Sequence, residues 1–326
     1  MLNKKEMATC YGKRFFYNNK KGFLQISFAW LFAIIVGAII LFFAIYASVR
    51  LIGTEESTST AQAGKEIAVL LNPLETGFGE ETTTPLSTGV GSRINNNCAE
   101  FGDFGSQEIS VSQMSRGEWT DAGLSQSFHN KYIFSGGVSE GKNFYLFSKP
   151  LEFPFKVADL IILTSAEDRY CLSDAPDDIK EELAQLGQGN LFTENCPDNS
   201  VKICFASGSG CDVVVNENQK AVTYEDNNEK VYYEKDALMY AAIFSNSDSE
   251  LYECQVKRLM QRLSSLALIY NDKESLLSSV GCTAEVGLLG LAEAANALGE
   301  SSDLITVRAF ATRAENENKR AYCKLW

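Results

Sequence analysis

The sequence predicts an α+β protein: an N-terminal transmembrane helix, then an extracytoplasmic domain with a strand-rich half followed by a helical half. Three observations carry this. Phe28 to Ala47 runs for twenty residues without a charge. Short aromatic or β-branched segments recur between 98 and 248. From 249 onward, apolar residues return at helical spacing. The expected organisation is a basic tail at 1–23, the span at 24–50, a stalk helix and linker at 51–97, the strand-rich region at 98–248 and the helical region at 249–326.

Twenty helical residues cover about 30 Å, the hydrocarbon thickness of a bilayer. A cleaved secretory signal has a shorter apolar core and a small-residue cleavage site, which Ala47-Ser48-Val49-Arg50 does not supply. Trp30 and Tyr46 stand near the two ends of the run, where amphipathic rings settle at membrane interfaces. Before the run, Lys4, Lys5, Lys13, Arg14, Lys20 and Lys21 face a single acid, Glu6; after it come Arg50, Glu55 and Glu56. Basic flanks stay cytoplasmic, so the N-terminus is expected inside and the remaining chain outside.

The chain's net charge of −13 hides an asymmetry: residues 1–23 sum to +5 and residues 51–326 to −19, so the acidity belongs to the outer domain. An acidic surface repels phosphate backbones, so nucleic acid is excluded as a partner. The bilayer is the partner that the span itself implies. Ala29, Ala33 and Gly37 recur every four residues along the span, a small face on which a second copy or a partner membrane helix can pack closely.

Nine cysteines divide unevenly. Cys10 lies alone before the span, and is expected to be a plain reduced thiol. Cys98, Cys171, Cys196, Cys204, Cys211, Cys254, Cys282 and Cys323 follow it. An even number outside the cytoplasm reads as four disulfides, with about 105 formal connectivities. Val201–Phe205 and Cys211–Val215 look like two strands of a hairpin joined through Ala206–Gly210, which a Cys204–Cys211 bond would close. Cys323 would pin the C-terminus. Zinc is disfavoured, because the tightest pair is Cys204-x6-Cys211 and His129 is the one histidine. No cofactor is expected.

After the span, Ala61 to Leu71 has helical character, ended by Asn72-Pro73. Residues 76–97, rich in Gly, Thr, Ser and Asn, read as loop or edge strand. Strands are expected at 131–134, 144–147, 157–163, 201–205, 213–215 and 230–233. One helix interrupts them, capped by Asp174, with Pro176 in its first turn and Gly187 at its end. Tyr252, Val256, Leu259, Leu263, Leu266 and Tyr270 then fall within about 40° of one line on a helical wheel. Lys257, Arg258, Gln261 and Arg262 face away and are expected in solvent. Cys254 lies about 200° from the stripe, so a disulfide to another element accounts for it. Two more helices are expected at 285–298 and 303–322.

Several chemistries fail on context. Gly136 to Asn143 approaches the phosphate-loop pattern but ends in Asn and leads into a strand, so a hairpin turn is expected. Asp103-Phe104-Gly105 lacks the companion motifs of kinases, and Gly208-Ser209-Gly210 lacks those of a nucleophile elbow. His129 has no nucleophile motif beside it. Acid pairs such as Asp177/Asp178 and Glu181/Glu182 are common among 42 acids and specify nothing alone. Glu225 to Asn228 reads as a turn rather than a calcium loop.

Lys20-Lys21-Gly22, followed by Phe23, Gln25, Ser27 and the apolar run, resembles the prepilin-type signals of archaeal type IV pilins. The resemblance implies cleavage after Gly22 and a filament role for the span. It departs in carrying Ala29 where those signals usually carry Glu. Asn72–Phe78, Phe155–Leu160 and Tyr252–Leu259 resemble segments of uncharacterised archaeal membrane proteins, which implies a compartment and a topology. The expected role is non-enzymatic, in structure or protein interaction. The alternatives are a pilin-like filament or assembly subunit, and an extracytoplasmic carboxylate-dependent hydrolase.

Overall fold

The computed structural model describes residues 28–48, 83–100, 104–205, 210–282 and 284–326. The chain divides into two units, Met1–Thr54 and Glu55–Trp326. In the first, helix α1 (Phe28–Ser48) is long and apolar enough to cross a membrane, and none of its apolar window is buried. Gly22 and the proposed stalk helix at 61–71 lie outside the described residues.

The second unit is built on two sheets. Sheet 1 runs β3 (Glu118–Trp119), β2 (Ser106–Ser115), β1 (Thr84–Ala99), β6 (Val138–Glu152), β7 (Lys156–Ser165), β5 (Ile133–Phe134), with β4 (Gln126–Phe128) also paired to β2. Sheet 2 runs β13 (Glu229–Tyr232), β12 (Ala221–Tyr224), β11 (Val213–Asn216), β10 (Val201–Cys204), β8 (Tyr170–Ser173), β9 (Leu191–Phe192). The helices are α2 (Asp177–Leu186), α3 (Asp236–Phe244), α4 (Ser249–Ser279), α5 (Leu288–Asn296) and α6 (Leu304–Arg320). This is the expected α+β order: an apolar helix, a strand-rich region, then helices.

Both faces of β7 are buried, as its run of Val, Leu and Ile dictates. One face, with Ile161 and Leu163, joins Ile94, Ile109, Val111, Phe144 and Leu146 in a small core. The other, with Leu160 and Ile162, faces the main core, which also takes in Leu172, Ile203, Val213 and Val222 of sheet 2. Helix α3 fills the space between, touching β5, β6 and β7 on one side and β12 and β13 on the other. Every residue from Ala237 to Phe244 is buried. A helix apolar all round must be enclosed all round.

Several expectations are corrected. Residues 84–97 belong to β1, an interior strand between β2 and β6, not to a loop or an edge. β10 and β11 run parallel, pairing Ile203 with Val213 and Cys204 with Val214, so they are not a hairpin. Parallel neighbours usually need a long crossover. A short one suffices here because β10 is only four residues long. Residues 136–143 are not a hairpin turn: Val138 already begins β6, and β5 lies beyond β7 rather than beside β6. Pro176 stands at the N-cap of α2, and Asp174, at positive φ, lies before the helix. α5 and α6 are shorter than their predicted spans by a few residues at their ends.

The eight cysteines after α1 pair as four disulfides. Cys98–Cys254 joins the end of β1 to α4, and Cys171–Cys196 joins β8 to the segment after β9. Cys204–Cys211 brackets the β10–β11 connection, and Cys282–Cys323 ties the α4–α5 loop to the C-terminal segment.

Candidate functional site

A groove of about 1000 Å³ is formed by the end of β1, strand β13, the first two turns of α4 and Glu300. Six carboxylates line it: Glu100, Glu229, Asp248, Glu250, Glu253 and Glu300, against Lys230 and Lys257. A second depression of about 500 Å³ extends it over Gly136 and Gly137 and shares Glu229, Asp248, Ser249 and Glu250. The glycine run that resembled a phosphate loop therefore faces carboxylates, which would repel phosphate. A side chain at Gly137 would meet Asp248 Oδ2 at 2.7 Å and would have to displace that carboxylate.

Local folding positions these acids. Asp248 caps α4, its Oδ1 accepting from the Leu251 amide at 2.9 Å. Glu229 accepts from the Asn227 side-chain amide at 2.9 Å and from the Ser249 hydroxyl. Glu225 to Asn228 form the β12–β13 turn, with Asn228 at positive φ. Glu100 pairs with Lys257 at 3.1 Å. Glu253 accepts from the Ser301 amide at 2.7 Å and from its hydroxyl at 2.5 Å, and that hydroxyl oxygen accepts from the Tyr232 amide at 2.8 Å. Burial pushes the Glu253 carboxyl up, against the opposing pull of the Ser301 hydrogen bonds.

Behind the groove wall lies a polar cluster within the core. Arg258 is 0% exposed. Its Nε donates to Phe104 O (2.9 Å), Nη1 to Lys131 O (3.0 Å) and Gln255 Oε1 (2.7 Å), and Nη2 to Phe128 O (3.2 Å) and His129 O (3.1 Å). The guanidinium stacks 4.8 Å from the Tyr132 ring centroid. Burial pushes its pKa down to about 10. Gln255 Nε2 donates in turn to Gln107 Oε1, Gln107 Nε2 to Asn96 Oδ1, and Asn96 Nδ2 to Ser135 Oγ at 2.9 Å. The expectation that Arg258 sits in solvent with its neighbours is thus wrong. α4 carries a second buried face, turned toward the loops around sheet 1, and backbone carbonyls there replace water. Arg262 also leaves the solvated set, its Nε donating to Val157 O at 2.8 Å.

The remaining singled-out residues fall elsewhere. His129 is exposed, and its Nδ1–H donates to Gly105 O at 2.9 Å. Glu182 accepts from the Tyr240 hydroxyl at 3.1 Å and pairs with Lys149. Asp177 pairs with Lys180 at 3.4 Å on the surface of α2. Ala29, Ala33 and Gly37 lie on the exposed surface of α1, and nothing stands within 4 Å of a side chain built at Gly37. Cys98 and Cys254 line the groove; the other cysteines do not. Among the described residues, no group of His, Cys, Asp and Glu could hold a metal ion.

The two raised carboxyls give a pH dependence. Glu253, through burial, and Asp168, through burial and the neighbouring charges of Glu167 and Glu140, both titrate above their ordinary values of 4.5 and 3.8. A folded pKa above the unfolded one contributes stability at low pH, lost as pH rises through the folded pKa. The Arg313-paired Glu317 shifts the opposite way but is a solvent-screened pair of small weight. Glu253→Gln is therefore expected to gain stability relative to wild type on going from pH 4 to pH 7, read by urea unfolding at both. A difference independent of pH would show that Glu253 is not shifted.

The fold and groove define a disulfide-braced, two-sheet α+β domain on a chain whose described residues include one helix long and apolar enough to cross a membrane. No protein-family model, curated protein or solved structure matches the chain.

Proposed function

We propose that the protein is a single-pass membrane protein whose outer domain lies outside the cytoplasm and engages a cationic segment of another protein through the acidic groove. The observation that carries this reading is the groove itself: six carboxylates converge on a cavity whose wall is braced by the Cys98–Cys254 bond. Concave, preformed surfaces with one sign of charge favour partners of the opposite sign and speed their encounter. Four disulfides suit an oxidising compartment. The apolar α1 supplies the anchor, and the basic residues before it orient the N-terminus inward.

The test is binding of a lysine-rich peptide to the full chain in detergent. Glu100→Lys/Glu250→Lys is expected to weaken it by about tenfold at low salt, with the gap closing at high salt. Equal binding by wild type and variant would remove the groove from the reading. Protease added to intact cells is expected to digest the outer domain and spare the N-terminal tail.

A second reading, a pilin-like subunit, is favoured by the open Ala29/Ala33/Gly37 face and by Lys21-Gly22 before the apolar run. It requires a native chain beginning at Phe23, which mass measurement of the N-terminus decides.

A further inference from the structure

Two of the residues flanking the groove disulfide belong to the buried polar cluster. Gln255 follows Cys254 on α4, and Gln107 is the register partner of Cys98 across the β1–β2 pair. Gln107 Nε2 also donates to Asn97 O at 3.2 Å, next to Cys98. Its Oε1 accepts from the Ile133 amide at 2.9 Å as well as from Gln255. Arg258, Gln255, Gln107, Asn96 and Ser135 are all buried, and each is hydrogen-bonded. A satisfied buried network holds one arrangement, because any other leaves its members without partners in a medium that has no water to offer.

The network fixes the position of α4 along its axis. A slip of one helical turn, about 5.4 Å, would bring Leu251 or Leu259 to the place of Gln255. Gln107 Oε1 would then lose a donor, and Arg258 would leave the carbonyls of Phe104, Phe128, His129 and Lys131. The same slip would carry Cys254 away from Cys98, whose Cα atoms now stand 6.1 Å apart, within the range a disulfide spans. An apolar interface would resist such a slip far less, since one Leu packs much like another.

We infer that the Arg258–Gln255–Gln107–Asn96 network is a registration device: it docks α4 on sheet 1 and holds Cys98 opposite Cys254 whether or not the two sulfurs are joined. The bond then seals a wall already in place: a pair reduced by a small dithiol, which leaves as its own cyclic disulfide, re-forms between the same two thiols by exchange with oxidised glutathione, which leaves as two glutathione thiols. Holding interface register is the best-attested use of buried polar groups.

Two measurements on the full chain in detergent test this. The first uses Cys98→Ser/Cys254→Ser and hydrogen exchange at two amides. Ile133 N–H, bonded to Gln107 Oε1, reports the network, and Ile161 N–H, bonded to Tyr132 O at 2.9 Å, reports the strand core. The ratio of their protection factors is expected to stay within about tenfold of wild type. A larger fall, confined to Ile133, would show that the disulfide holds the network rather than the reverse. The second measurement reduces and reoxidises Gln107→Leu/Gln255→Leu in a glutathione buffer and maps the linkages by mass spectrometry. The share of chains with Cys98 joined to Cys254 is expected to fall below about half, with other pairings appearing among the formal alternatives. Recovery of the wild-type share would overturn the inference. Should this variant fail to fold, the serine pair decides alone.

Discussion

Arg258→Met is expected to destabilise the outer domain by about 3–5 kcal/mol, the scale for breaking a buried charge interaction from one side. The five acceptors that the guanidinium satisfies are four backbone carbonyls and the Gln255 amide oxygen. Methionine fills similar volume but donates to none of them. Each buried acceptor left unpaired costs about 1–3 kcal/mol, and such costs within one network do not add, which keeps the total below the simple sum. The charge itself is costly where it sits, as the lowered pKa of about 10 shows, so the stabilisation comes from the hydrogen bonds and the Tyr132 stack. Arg258→Lys separates these contributions. Its ammonium keeps the charge but has three donors on one atom, which cannot span carbonyls arrayed around a planar fork. It should recover less than half of the loss in urea unfolding. A near-neutral Arg258→Met would mean that the carbonyls are hydrated and the cage is not an energetic centre.

Cys98→Ala/Cys254→Ala is expected to cost more than removal of any other bond in the domain. A cross-link acts largely by limiting the unfolded chain, and its effect grows with the logarithm of the loop it closes. The sequence separations are 156 for Cys98–Cys254, 41 for Cys282–Cys323, 25 for Cys171–Cys196 and 7 for Cys204–Cys211. Chain entropy alone gives about 5 kcal/mol for the longest and about 2–3 kcal/mol for the shortest. Two of the other bonds lie inside the longest loop and shorten it, but each halving of loop length changes the result by only about 0.6 kcal/mol. Urea midpoints of four alanine pairs should follow the order of separations. A Cys204–Cys211 deletion as costly as that of Cys98–Cys254 would place the effect in folded-state contacts instead. The native wall should survive the loss, because the bond acts on the unfolded chain and the polar cluster on the folded one.

What could be read in advance depended on whether the pattern was local. The stripe from Tyr252 to Tyr270 identified α4, because one face of a long helix against a core imposes a regular period. The same helix hid its second buried face. Arg258 falls where a solvated cation would fall, and a cage of backbone carbonyls leaves no complementary residue to find. α3 was missed for the opposite reason: Ala237 to Phe244 is apolar at every position, so it has no period. Strand segments such as 201–205 and 213–215 were visible as segments, but parallel or antiparallel pairing depends on contacts that their residues do not encode. Cys204 and Cys211 could be paired because they are close in the chain; Cys98 and Cys254 could not. The groove was illegible for the same cause, since Glu100, Glu229, Glu253 and Glu300 meet only after both sheets and α4 have docked.

The hydrogen-bond partners of the Arg258 guanidinium are, Gln255 apart, main-chain atoms of residues 104, 128, 129 and 131, and the Tyr132 ring is its one stacking partner. Carbonyl oxygens are common to every amino acid. Tyr132 apart, the segments that form the cage are therefore free to drift in side-chain identity while the arginine is not. In any lineage that keeps this architecture, Arg258 should stand invariant, with Tyr132 the one position beside the cage whose side chain is coupled to it. Statistical searches for coupled pairs will pass over one of the domain's main organising contacts.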